Sequence, residues 1–140
     1  LIFPFCSKKH IKKKWPYFLE LIIKIKEIYK NKYPVLVAPG PGEILEAKKL
    51  KAKVVLDNNN PVKLNFLISL INSAKYIVSN DTGPAHICSH LNKRGLALFG
   101  SHTTAKKVNI GNSNFKTITV NQLSDLKVNE VINKIKNDLE

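Results

Sequence analysis

Ile77-Val78-Ser79-Asn80-Asp81-Thr82-Gly83-Pro84-Ala85-His86 begins as strand and ends as helix. Its apolar start reads as a buried strand, its polar middle as a strand tip, and Gly83 as the turn into a helix opening at Pro84. Proline suits the first helical position because it has no amide hydrogen to leave orphaned there. The free amides of that first turn and the positive end of the helix dipole make the junction a socket for an anion, and phosphate is the usual occupant.

Outward from this junction the chain alternates short β-type runs with longer amphipathic ones. Leu1 to Cys6 reads as the first strand, and Ser7 to Lys14 as a basic loop. Trp15-Pro16 then opens a helix with Phe18, Leu21, Ile22, Ile25 and Ile28 at helical spacing, ending near Asn31. Pro34 to Ala38 is a second strand. Pro39-Gly40-Pro41-Gly42 is a rigid turn into a helix from about Glu43 to Leu50, and Val54 to Leu56 a third strand. After the loop Asp57 to Pro61, Leu64, Leu67, Ile68 and Ile71 mark another helix. Tyr76 to Ser79 is the fourth strand, Pro84 to about Asn92 its helix, and Gly95 to Phe99 the fifth strand. A polar loop, Gly100 to Gly111, leads to a short sixth strand, Lys116 to Val120, and a terminal helix, Lys127 to Leu139.

This alternation, with few hairpin signals, predicts an α/β domain with a Rossmann-like parallel sheet covered on both faces. In the doubly wound order 3-2-1-4-5-6, strands one and four flank the switch point, where ligands bind beyond the carboxyl ends. Ser7 to Lys14 and Asn80 to His86 then face one crevice. Lys8, Lys9, His10, Lys12, Lys13 and Lys14 would point charge at the anion socket, unless the loop is simply a solvated helix entry.

With 140 residues, 44% of them hydrophobic, the chain suits one domain with its own core. It has no methionine and opens inside a strand, so it reads as a piece of a longer protein whose missing part could hold a targeting segment. No apolar run approaches the ~20 residues of a membrane span. The net charge of +13 points to anionic partners, or to a lysine- and asparagine-rich genome. Aromatics make up 8% and most sit at core spacing, which leaves no stacking platform for nucleic acid. Cys6 and Cys88 lie far apart and fit buried thiols.

Only ten carboxylates are present. Glu20, Glu27, Glu46, Asp125, Glu130, Asp138 and Glu140 fall on expected helix exteriors or at the terminus, leaving Glu43, Asp57 and Asp81 at strand tips. Asp81 could cap its helix, worth about 1 kcal/mol, or hold a sugar hydroxyl. Glu43 could accept ribose hydroxyls or steady a first helical turn. No two acids stand as a glycosidase couple. His86 and His90 share a helix face, but Ile87 replaces the glutamate of the metalloprotease pattern, so His86 reads as a phosphate or sugar contact rather than a metal ligand. Neither a P-loop nor a G-x-G-x-x-G follows strand one.

Ser79-Asn80-Asp81-Thr82-Gly83-Pro84-Ala85-His86, with Leu70 to Tyr76 before it and Leu98-Phe99-Gly100-Ser101-His102-Thr103 after it, resembles the C-terminal half of glycosyltransferase family nine, the lipopolysaccharide heptosyltransferases. Lys13-Lys14-Trp15-Pro16, Pro41-Gly42-Glu43 and Ala47 to Leu50 add to the likeness, which runs from strand one to strand six. The resemblance implies a GT-B enzyme, with residues 1–140 as its single nucleotide-sugar (donor) domain and the N-terminal acceptor domain absent. It implies inverting transfer of heptose from ADP-L-glycero-D-manno-heptose to a lipopolysaccharide inner-core acceptor. It also implies no obligatory metal or cofactor, and a cytoplasmic enzyme that peripheral association with the inner membrane would suit. The catalytic base would come from the absent domain, so no catalytic residue is expected here, and the chain alone should be inactive. By position, Thr82 and Gly83 would offer amides to the diphosphate, and Lys13 would pair with it. Asp81 would orient the heptose, Glu43 bind ribose, Lys63 and Leu64 lie near adenine, and Thr103 face sugar or acceptor. Ser7, Asn80 and His86 complete the expected donor site. The loop Gly100 to Ala105 carries no acidic residue, a departure from the family pattern. The competing class is a non-catalytic basic α/β module for nucleotides or nucleic acid, whose nucleic-acid binding would fall steeply with salt.

Overall fold

The computed structural model describes residues 1–30 and 32–140. Among them, strands β1 (Ile2–Phe3), β2 (Leu36–Val37), β3 (Lys53–Val54), β4 (Ile77–Asn80), β5 (Gly95–Phe99) and β6 (Phe115–Thr119) alternate with helices α1 (Phe18–Tyr29), α2 (Ile44–Ala47), α3 (Leu64–Ser73), α4 (Gly83–His90) and α5 (Val128–Leu139). The strands pair in parallel in the order β3-β2-β1-β4-β5-β6, which is the doubly wound order expected. The fold is therefore the Rossmann-like α/β sheet that the alternation of elements predicts.

Strand residues point alternately to the two faces, and the register keeps like with like. Ile2 pairs with Val78 and Val78 with Leu96. These residues, with Leu98, pack against Trp15, Leu21 and Ile22 at α1 and Val131, Ile132 and Ile135 of α5. Phe3, Ile77, Ala97 and Phe99 face the other way, onto Ile71 of α3 and Ala85 and Cys88 of α4. Both faces of β4 and β5 are covered, so these strands read as unbroken buried runs. Gly95 is required by contact: a Cβ there would lie 2.5 Å from the Ile77 carbonyl and 2.8 Å from the Phe115 ring.

Several boundaries differ from the sequence reading, each for a physical reason. β1 stops at Phe3 because Pro4 has no amide for the ladder, and its carbonyl turns to accept from Asn80 Nδ2 at 2.9 Å. Residues 8–13 are not a loop but a 3-10 helix, Lys8–Lys13, broken at His10. α1 starts at Phe18 rather than Trp15 because the Trp15 amide donates to Asn80 Oδ1 at 3.0 Å and its indole donates to the Leu126 carbonyl at 2.9 Å. The expected helix end near Asn31 lies outside the described residues; α1 ends at Tyr29. α2 is one turn, with Leu50 beyond it, and β3 is shifted to Lys53–Val54. No helix among the described residues is long and apolar enough to cross a membrane.

Candidate functional site

Asn80 builds the site without reaching into it. Its fully buried side chain clamps Pro4 and Trp15, residues on either side of the basic 3-10 helix, onto the tip of β4. The helix is thereby held across the β1/β4 switch point. Asp81, the next residue, is 2% exposed, and Lys13 Nζ lies 3.0 Å from its Oδ2. Of the five lysines in this segment, Lys13 is thus the one that meets Asp81. Lys14 turns away, pairing with Glu46 and sitting 5.7 Å above the Phe5 ring, while Lys8, Lys9, His10 and Lys12 are exposed. Glu46, expected on a helix exterior, thereby ties α2 to the basic segment.

Thr82 is the extended N-cap of α4, with Pro84 in the first turn. Its carbonyl accepts from Ala85 at 3.0 Å. Proline has no amide, so the Thr82 and Gly83 amides are the first-turn donors left without an intrahelical acceptor. A Cβ on Gly83 would meet nothing within 4 Å, so the turn is open on that side.

A crevice of about 380 Å³ runs from this socket along the carboxyl ends of the strands. Ser7 after β1, Glu43 after β2, Leu64 at the start of α3 and Thr82 after β4 all line it, with Gly40 and Val62 between them. Glu43 closes the turn from Gly40. Its amide donates to the Gly40 carbonyl at 3.2 Å, and its Oε2 accepts from the Gly40 amide at 2.7 Å. Gly42 takes φ +78°, the left-handed conformation that the third position of such a turn demands. Leu64 is 62% exposed at the crevice mouth, an apolar surface of the kind a flat base covers. Among the described residues, Lys63, Asn80, Asp81, Gly83, His86 and Thr103 do not line this crevice. Lys63 is exposed, and His86 and Thr103 are half-buried.

The sequence reading missed His102. Its Nε2 lies 3.0 Å from the same Asp81 Oδ2 that Lys13 approaches. A carboxylate only accepts, so the ring donates. His102 follows β5, and a census of histidines as well as acids at strand tips would have found it. A second cavity, about 240 Å³, sits at the amino ends of the strands among Tyr29, Tyr33, Val35 and Leu139. It is the wrong edge for a doubly wound sheet, whose ligands bind beyond the carboxyl ends. Among the described residues no three His, Cys, Asp or Glu side chains are placed to hold a metal ion. Burial pushes the Cys88 thiol up to about 12, which makes it inert.

A parallel, doubly wound sheet with a helix N-terminus at its switch point defines a Rossmann-like α/β domain. The family model for glycosyltransferase family 9 (heptosyltransferase) matches residues 1–135, and the chain belongs to that family. No curated protein matches it by sequence. Among solved structures, it is similar to E. coli heptosyltransferase WaaC with ADP, at TM-score 0.83 and 23% identity over 98% of this chain and 43% of that one. WaaC with ADP-2-deoxy-2-fluoro heptose matches at 0.79, with 22% identity over 98% and 42% of the two chains. E. coli ADP-heptose lps heptosyltransferase II matches at 0.77, with 21% identity over 99% and 45%. The chain thus spans less than half the length of these enzymes.

Proposed function

We propose that this chain is the donor-binding domain of an inverting glycosyltransferase that moves heptose from ADP-heptose to a lipopolysaccharide inner-core acceptor. The observation that carries this reading is the Lys13–Asp81 pair at the tip of β4, next in the chain to Thr82, which caps α4 and lines a crevice that reaches Glu43. The diphosphate takes the amides and draws on Lys13, ribose hydroxyls reach Glu43, and adenine covers Leu64. Asp81 is left to orient the sugar. In the reaction these groups stabilise the departing ADP, whose negative charge grows as the glycosidic bond breaks. The acceptor hydroxyl must lose its proton to a base, and we assign that base to the acceptor-binding half these enzymes carry beyond the length spanned here. Two of the similar structures contain ADP or an ADP-heptose analogue, which supports this choice of nucleotide. Lysine and amide hydrogens supply the charge, so no metal is invoked. The net charge of +13 suits an enzyme working at the cytoplasmic face of an anionic membrane that holds its lipid acceptor.

Calorimetric titration with ADP in the presence of EDTA tests this reading. Wild type should bind, and Lys13→Ala should weaken binding about tenfold, the worth of one charge-assisted contact. Absence of binding by wild type, or undiminished binding by Lys13→Ala, would overturn it.

A further inference from the structure

Asp81 has two partners on one oxygen, and they are held very differently. Lys13 approaches at 3.0 Å on a flexible stem, 26% exposed. His102 is packed more closely. Its ring stacks on that of Phe99, with centroids 6.1 Å apart and planes 11° apart, and Phe99 is itself fully buried. Its Nδ1 is buried beside Gly100, where a Cβ would stand 3.4 Å from it and 3.4 Å from Leu123 Cγ. Lys13 has a flexible stem and is more exposed, whereas the His102 ring is packed against Phe99.

That asymmetry matters when an anion arrives. A diphosphate on the Thr82 and Gly83 amides competes with Asp81 for Lys13, and the more concentrated charge wins. Asp81 would then be a buried carboxylate deserted by its counter-ion, an expensive state unless another donor holds it. His102 is that donor. Its bond engages Oδ2, and among the described residues Oδ1 has no hydrogen-bond partner. An oxygen with a free lone pair beside the phosphate socket is where a sugar hydroxyl would donate.

We infer that His102 is a positioning residue for sugar recognition, holding Asp81 by Oδ2 so that Oδ1 meets a hydroxyl of the donor sugar while Lys13 serves the diphosphate. The inference rests on the donor-site reading above and deepens it. ADP lacks the sugar, so the effect of His102 belongs to the part of the ligand that ADP does not have.

The test compares ADP with ADP-2-deoxy-2-fluoro heptose by calorimetry on wild type, His102→Ala and His102→Gln, with thermal melts to confirm folding. His102→Ala should lower affinity for the analogue about tenfold more than affinity for ADP, since one charge-assisted hydrogen bond sets the difference. His102→Gln, whose side-chain amide can donate at a similar reach, should recover most of that difference. Gly100→Ala, which crowds the ring without removing it, should shift the ratio the same way by a smaller factor. Equal weakening of both ligands in His102→Ala would show a merely structural residue and overturn the inference. So would a wild type that binds ADP but gains nothing from the sugar, and that result leaves the nucleotide site standing. A wild type that binds neither ligand removes both readings together.

Discussion

A carboxylate is packed near each end of β4, Asp138 of α5 and Asp81, and the two are built from similar parts to opposite effect. At its amino end Tyr76, the residue before the strand, donates to Asp138 Oδ2 at 2.7 Å, while Lys116 of β6 takes Oδ1. At its carboxyl end Asp81 meets a lysine and a histidine, both on Oδ2. Each acid has one lysine and one ring donor, and each is nearly buried, at 5% and 2% exposure. Asp138 divides its partners between its oxygens and is complete. Asp81 stacks them on one oxygen and keeps the other in hand. A closed network ties α5 to the sheet, whereas an open one awaits a ligand, and counting ion pairs alone would not tell them apart.

Asn80→Ala should have the largest effect, because it breaks the frame that makes the carboxyl end a site at all. The Trp15 amide and Pro4 carbonyl would be left buried and unpaired, at a cost of about 3 kcal/mol in urea denaturation. ADP affinity should fall with it, since the segment carrying Lys13 loses its anchor. Asp138→Asn should cost less, about 2 kcal/mol, chiefly through the buried Tyr76 hydroxyl. It should leave ADP binding unchanged; loss of binding there would mean the two ends are not independent. Asp81→Asn should invert that pattern, changing stability by less than about 1 kcal/mol because relief of a buried charge offsets its lost pairing. The preference for a sugar-bearing ligand over ADP should disappear.

The smallest effect is in pH dependence, and it belongs to the closed end. Burial works to raise the Asp138 carboxyl, but hydrogen bonds from Lys116 and Tyr76 outweigh it and hold the group below its ordinary value of 3.8. A depressed carboxylate adds stability that is present above the unfolded value and is lost as pH falls through the folded one. Urea denaturation from pH 6 down to pH 2 should therefore show a decline below about pH 4 that is shallower in Asp138→Asn. Parallel curves for the two proteins would remove Asp138 as its source.

Asp138 also marks the limit of sequence reasoning, which placed it on a helix exterior. Its position near the end of α5 is amphipathically ambiguous, and only the meeting of α5 with Tyr76 and Lys116, residues 62 and 22 positions away, makes it an interior residue. Glu46 does lie on an exposed helix surface as expected, but its partner Lys14, 32 residues distant, was not legible for the same reason. By contrast, β5 was legible to the residue, because four consecutive apolar side chains follow a glycine that nothing larger can replace.

The sequence by itself determined the order of elements, the parallel doubly wound sheet, and the strand-to-helix junction at Asn80 to His86. Those features rest on local periodicity, proline and glycine, which act within a few residues of themselves. The tertiary structure alone decided that Lys13 rather than Lys12 or Lys14 meets Asp81, that Asn80 turns inward as a clamp, and that His102 shares the carboxylate. Each of those facts depends on packing between segments 21 to 76 residues apart, through contacts of about 3 Å, and no periodicity in one segment records where another will come to rest.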